Sequence, residues 1–185
     1  MLKEYNSDFL LTPCPTVLVT SRFNNFDNVV TISWTGIACS HPEYVTISIN
    51  PKRYSYEMIK KTKKFCINIP SIDLLDKVDY CGSFSGNDVD KFKECNFNKT
   101  IIDDYVLIEE CRFFILCDVE YVINLGSHYL FIAKVIKKFI RCEEKYDESI
   151  EIQDILNPII YYRPYYYKLD MEKKGVYGYT KKNVK

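Results

Sequence analysis

The stretch from Val29 to Ser55 constrains the fold most tightly, because it dictates strand, loop, strand, sharp turn and helix start in succession. It begins Val29-Val30-Thr31-Ile32-Ser33-Trp34-Thr35-Gly36, passes Cys39-Ser40, and enters a second strand from Tyr44 to Ile49. In that strand Val45, Ile47 and Ile49 alternate with Thr46, Ser48 and Asn50, giving one core face and one polar face. The turn Asn50-Pro51-Lys52-Arg53-Tyr54-Ser55 then presents an Arg and a Ser where a helix should begin. Helix starts expose unpaired N–H groups and the positive end of the dipole, so Arg53, Ser55 and these amides form a candidate anion seat. The Ser33-Trp34-Thr35 strand end, which carries the only Trp, suits something flat and polar beside it.

The rest of the chain alternates the same two periods. Cys14-Pro15 leads into the strand Thr16–Thr20, and Asn24-Asn25-Phe26-Asp27-Asn28 supplies turn chemistry before Val29, which predicts a β-hairpin with a moderately long loop. A helix is expected from Ser55, its N-cap, to about Lys64, with Glu57 in the first turn. Lys60, Lys61, Lys63 and Lys64 read more simply as a solvated face than as a phosphate clamp. Phe65 to Pro70 is a strand with Phe65, Ile67 and Ile69 on one side and Asn68 on the other, facing whatever the polar sides surround. Ser71 to about Tyr80 reads as a second helix, capped by Ser71, before a loop from Cys81 to Phe92 that contains Gly82, Ser83, Ser85, Gly86 and Lys91. Glycines beside hydroxyls suit close approach to a ligand, although an ordinary turn is the simpler reading of that pattern alone.

Cys111 to Ile123 alternates with period two, Cys111, Phe113, Ile115, Cys117, Val119 and Tyr121 opposing Arg112, Asp118 and Glu120, which predicts a half-buried strand. Asn124 to Ser127 turns the chain into His128–Ile136, apolar on both faces and so expected to be buried on both, within the domain or against a second copy. Glu143 to Glu148 is a charged connector, and Ile159 to Leu169 is a tyrosine-rich extended segment suited to stacking on planar rings or to forming an interface.

A length of 185 residues is most simply one domain, residues 1–185, and aromatic content of 15% with recurrent β-branched runs favours a mainly β fold with α excursions. Lys+Arg and Asp+Glu stand at 25 each, so there is no overall basic field, and neither nucleic acid nor membrane is expected as a partner. The eight cysteines form no C-x-x-C and the two histidines, His41 and His128, are far apart, so free thiols and no metal site are expected. The N-terminus has no apolar run of signal-peptide length and no stretch approaches a membrane span, which predicts a soluble cytoplasmic protein.

These motifs, in this order, resemble the flavin reductase-like family with an FMN-binding split barrel, and most closely its flavoredoxin-type members. The resemblance covers most of the chain: Pro15–Thr20, Ile32–Gly36 with Cys39-Ser40, Asn50–Ser55, Phe65–Pro70, Cys81-Gly82 with Ser85-Gly86 and Asp88–Phe92, His128–Val135 and Leu156–Tyr161. It departs at Pro42-Glu43, where many relatives carry a Pro doublet, and near Asp147, which lacks a glycine often seen there. The resemblance implies a homodimeric, mostly antiparallel, Greek-key-like split β-barrel that binds FMN noncovalently near the subunit interface. By similarity Arg53, Tyr54 and Ser55, with Lys91, would hold the phosphate, while Ser33, Trp34, Thr35, Cys39 and Ser40 would line the isoalloxazine and ribityl chain. Asn68 and Ser85 would add polar contacts, and His128 would approach the open flavin face as the catalytic candidate.

The function implied is an FMN-dependent oxidoreductase that takes hydride or electrons from NADH, NADPH or a redox partner. The alternative is an FMN-containing electron carrier without NAD(P)H oxidase activity, since no glycine-rich dinucleotide fingerprint is present.

Overall fold

The computed structural model describes residues 2–4, 11–141, 157–170, 172–178 and 180; Cys142 and the charged connector Glu143–Glu148 lie outside them. The chain opens with a hairpin, β1 (Cys14–Phe23) and β2 (Phe26–Ile32), whose turn is only Asn24-Asn25. Both asparagines have positive φ, 50° and 62°, as a two-residue turn matching the strand twist requires. The loop is therefore shorter than the sequence suggests, because Asp27 and Asn28 are buried strand residues with polar partners: Asp27 takes ion pairs from Arg22 at 2.9 Å and Lys99 at 2.6 Å.

Strands β3 (Thr35–Ser40) and β4 (Glu43–Ile49) follow, then α1 (Tyr54–Thr62), β5 (Lys64–Ile69), a 3-10 turn Ile72–Leu74, α2 (Leu75–Ser83) and α3 (Lys91–Glu94). A hairpin of β6 (Lys99–Ile102) and β7 (Tyr105–Ile108) precedes the long strands β8 (Phe113–Asn124) and β9 (Tyr129–Ile140), and β10 (Ile159–Tyr162) and β11 (Tyr165–Lys168) complete the described strands. The main sheet runs β11-β10-β1-β5-β8-β9-β4-β3 with β2 also on β1, and its pairings are antiparallel. Since β2 runs on through Ser33-Trp34 into β3, and Ser48 N–H donates to Trp34 C=O at 2.9 Å, the sheet curls towards itself as a barrel.

Two cores explain the apolar runs. Val17, Val19, Val30, Ile32, Ile47, Phe65, Ile67 and Phe131 fill the barrel interior, whereas Leu18, Val29, Cys66, Phe114 and Leu116 pack on the opposite face beneath α2, α3 and the β6–β7 hairpin. Both faces of β8 are thus covered over its first half. This corrects the simple alternation expected there, since Phe114 and Leu116 are buried as deeply as Cys117 and a bulge follows Leu116. In β9 Phe131 and Ala133 face the interior, while Leu130 and Ile132 are half-buried and Ile136 is exposed.

Helix α1 starts one residue before the expected Ser55 cap. Asn50 Oδ1 accepts from Lys52 N–H and Asn50 C=O from Arg53 N–H, both at 2.9 Å, so the chain is already turning and Arg53 takes the N-cap position with extended backbone. Ser55 lies inside the first turn, buried, its hydroxyl accepting from Asn28 Nδ2 at 2.7 Å. The second helix likewise runs past Tyr80 through Cys81-Gly82. There a Cβ on Gly82 would stand 3.3 Å from Thr31 Cβ, so a glycine lets α2 lie close on β2.

Candidate functional site

The end of β2, the polar face of β4, the start of α1 and the first residue before β9 converge on a cavity of about 180 Å³. Ser33, Trp34, Ser48, Asn50, Arg53 and His128 are among its lining residues. The Trp34 and His128 rings pack with centroids 4.7 Å apart and planes tilted by 43°, so they form one aromatic wall. The Ser127 hydroxyl fixes the other side of the imidazole, 3.0 Å from Nδ1. A second cavity of about 390 Å³ is lined by Leu11, Pro13, Cys14, Pro15 and Thr35, and shares Ser33, Trp34 and Ser48 with the first. A polar chamber and a larger, apolar one edged by hydroxyls thus adjoin at Ser33, Trp34 and Ser48.

The electrostatics of the polar chamber are one-sided. Burial, with repulsion from Arg53, pushes the His128 imidazole below its usual range. Lys91, only 4% exposed, donates to Val29 C=O at 2.9 Å and Cys81 C=O at 2.7 Å, and its amine is pushed down to about 8 by burial, with Arg53 adding repulsion. Among the described residues no carboxylate is paired with Arg53, His128 or Lys91. Arg53 and His128 thus face one chamber at the α1 start, with the buried Lys91 amine close enough for Arg53 to repel it; the Tyr54 and Ser55 N–H groups there have no intrahelical acceptor.

The glycine loop is drawn against the same helix start. A Cβ on Gly86 would fall 2.3 Å from Asn28 Oδ1 and 2.9 Å from Tyr54 Cδ1, so only glycine permits this approach. The loop is held by its own turn, in which Asp88 and Val89 N–H donate to Ser85 C=O and Asn87 N–H to the Ser85 hydroxyl. Asp90 then caps α3 by accepting from Phe92 and Lys93 N–H.

Of the residues expected from sequence, Ser33, Trp34, Arg53 and His128 meet in the polar chamber, and Thr35 lines the apolar one while bonding Thr46 C=O at 2.7 Å. Tyr54, Ser55, Ser85 and Lys91 stand behind the chamber wall rather than lining it: Tyr54 packs on Phe26, Ser55 bonds Asn28, Ser85 closes its turn and Lys91 is buried. Cys39 and Ser40 lie at the far end of β3, beside a separate cavity with Ile37 and Tyr44. Asn68 faces the second core, fully buried. It donates to Leu18 C=O and the Thr20 hydroxyl and accepts from Ile108 N–H at 2.8 Å, pinning β7 to the sheet.

Sequence reasoning missed Asn28, the residue that couples Ser55 to the Gly86 loop. It looked like turn chemistry because Asn24 and Asn25 precede it, and its place next to the buried Val29 strand was the available signal. Among the described residues no helix is long and apolar enough to cross a membrane, and no cluster of three or more His, Cys, Asp or Glu is suited to a metal ion.

The model of the family described as "Flavin reductase like domain" matches residues 9–170. An uncharacterised protein of Pyrococcus abyssi is 31% identical over 131 residues, 69% of this chain and 74% of its own length. Among solved structures, flavoredoxin from Methanosarcina acetivorans superposes with a TM-score of 0.87 at 21% identity, covering 100% of this chain and 99% of that one. An FMN-binding protein from Thermus thermophilus with bound p-hydroxybenzaldehyde superposes at 0.79 and 20% identity, covering 95% and 97%. The antiparallel sheet is the split barrel of these neighbours.

Proposed function

The chain belongs to the flavin reductase-like domain family, and from that premise we propose that it is a single-domain FMN oxidoreductase that takes hydride or electrons from NADH, NADPH or a redox protein. The observation that carries this is the meeting of Arg53 and His128 in one chamber at the α1 start, with no carboxylate paired to either among the described residues. A phosphate dianion answers such a cluster, since guanidinium forks and helix-start amides are its strongest protein ligands. The two chambers fit the remainder of the cofactor: the polar one takes the phosphate and ribityl hydroxyls at Ser33, Ser48 and Asn50, and the apolar one takes the flat ring against Trp34 and Thr35.

FMN, when bound, supplies the hydride and electron chemistry. The chain's own residues bind and orient. Arg53 grips the phosphate, the buried Lys91 amine reinforces the positive field from behind, and Gly86 lets the loop backbone close on the seat. Trp34 would border the ring, and His128, tilted against Trp34, would orient the reductant or hold a proton. Ser55 acts through Asn28 to hold the loop against the helix start. Outside the chambers, Cys39 and Ser40 belong with the edge strand β3 and its exposed Ile37, which we assign to the interface of a homodimer in the cytoplasm.

Purified protein should be yellow or turn yellow on adding FMN, and anaerobic mixing with NADH or NADPH should bleach it rapidly. Colourless protein that takes up no FMN would overturn the assignment. Bleaching only by a reduced redox protein would leave the electron-carrier form of it.

A further inference from the structure

Cys81, in the last turns of α2, and Cys95, at the C-cap of α3, are outside the site described above and hold their sulfurs 3.8 Å apart. Both thiols are buried in the second core. The contact is a side-chain movement short of the roughly 2.05 Å of a disulfide. The residues between the two cysteines carry the Gly86 loop, and Lys91, whose amine donates to Cys81 C=O, already ties the loop's base together. The Cys95 thiol also points at Lys77 C=O, 3.9 Å away, and the Lys77 and Lys91 ammonium groups favour its thiolate. Burial opposes them and pushes both thiols up, so they react slowly and faster as pH rises.

We propose that Cys81 and Cys95 are a modification site, a dithiol that closes into a reversible disulfide under hydroperoxide and clamps the base of the Gly86 loop. Cys95, the less buried of the two, attacks a peroxide oxygen, giving a sulfenic acid and one water. The Cys81 sulfur then displaces hydroxide from the Cys95 sulfur, and its proton leaves as the second water. Two thiols and one hydrogen peroxide thus become one disulfide and two waters. The cross-link does not depend on the flavin assignment.

The test treats the full-length protein, as purified, with equimolar hydrogen peroxide at pH 8, then unfolds it in alkylating reagent and maps the peptides. A Cys81–Cys95 peptide pair, lighter than the two free thiols by about 2 Da and released by dithiothreitol, is the expected product. Recovery of both cysteines fully alkylated, or linked only to other cysteines, would overturn the proposal. In the oxidised protein amide exchange across Phe84–Asp90 should slow severalfold; unchanged exchange would reject the clamp.

Discussion

Arg53 is the N-cap of α1, Gly86 lies against its first residue and the buried Lys91 amine is repelled by Arg53, and each responds to a different substitution. At Gly86 a methyl group would meet Asn28 Oδ1 at 2.3 Å, so Gly86→Ala should move the loop off the seat, cost about 1–3 kcal/mol of stability and weaken FMN binding. Denaturant melts with an FMN titration check both. Lys91 gives a pH signature. Its folded value of about 8 lies below the ordinary 10.5, so between these values the unfolded chain binds more protons and Lys91's contribution to stability rises with pH. Buried Tyr and Cys groups with raised values work in the opposite sense, and the difference between wild type and Lys91→Met isolates the lysine. At His128, depressed by burial and by Arg53, a phosphate on Arg53 should restore the proton, so FMN affinity should rise as pH falls through the imidazole range and this dependence should vanish in His128→Gln. Arg53 and Trp34 were legible in sequence because a turn and a strand end announce themselves locally. Asn68 was not, because whether the non-core face of a strand meets solvent or a second layer depends on the distant β6–β7 hairpin.

At the scale of elements the strands were legible from their period, and the boundaries moved where a polar side chain had a buried partner. The β1–β2 turn is the clearest case, since Asp27 and Asn28 looked like loop residues yet pair with Arg22, Lys99 and Ser55. With Asn25 at φ 62°, Asn25→Gly should keep or slightly raise stability and Asn25→Val should lower it by about 1–2 kcal/mol, read from thermal melts. The other end of α1 is set by the backbone instead. Lys63 takes the left-handed position after the last turn, φ 58°, and its N–H caps Ile59 C=O, so the helix stops at Thr62 although the lysine run continues.

For the whole molecule, the sequence showed a mainly β barrel with helical excursions, and the order of its motifs identified the family; the second core was not visible, because it is made by helices folding onto strand faces that look internal in either case. The apolar outer face of β9 left two partners open, and the chain itself covers it only in part. Ile37, 85% exposed on the edge strand β3 beyond β4, offers a second apolar surface, so Ile37→Asp should convert a dimer into monomer by light scattering while the monomer keeps its fold. The proposed phosphate seat on α1 is the central claim, and riboflavin, which lacks only the phosphate, probes it most directly. Equilibrium titration of FMN and riboflavin into wild type and Arg53→Ala should show wild type favouring FMN by roughly 100-fold, the scale of one or two charge-assisted hydrogen bonds at about 1.5–3 kcal/mol each, and the variant losing most of that preference. Equal affinity for the two flavins in wild type, or a preference that survives Arg53→Ala unchanged, would contradict the assignment of Arg53 to the phosphate.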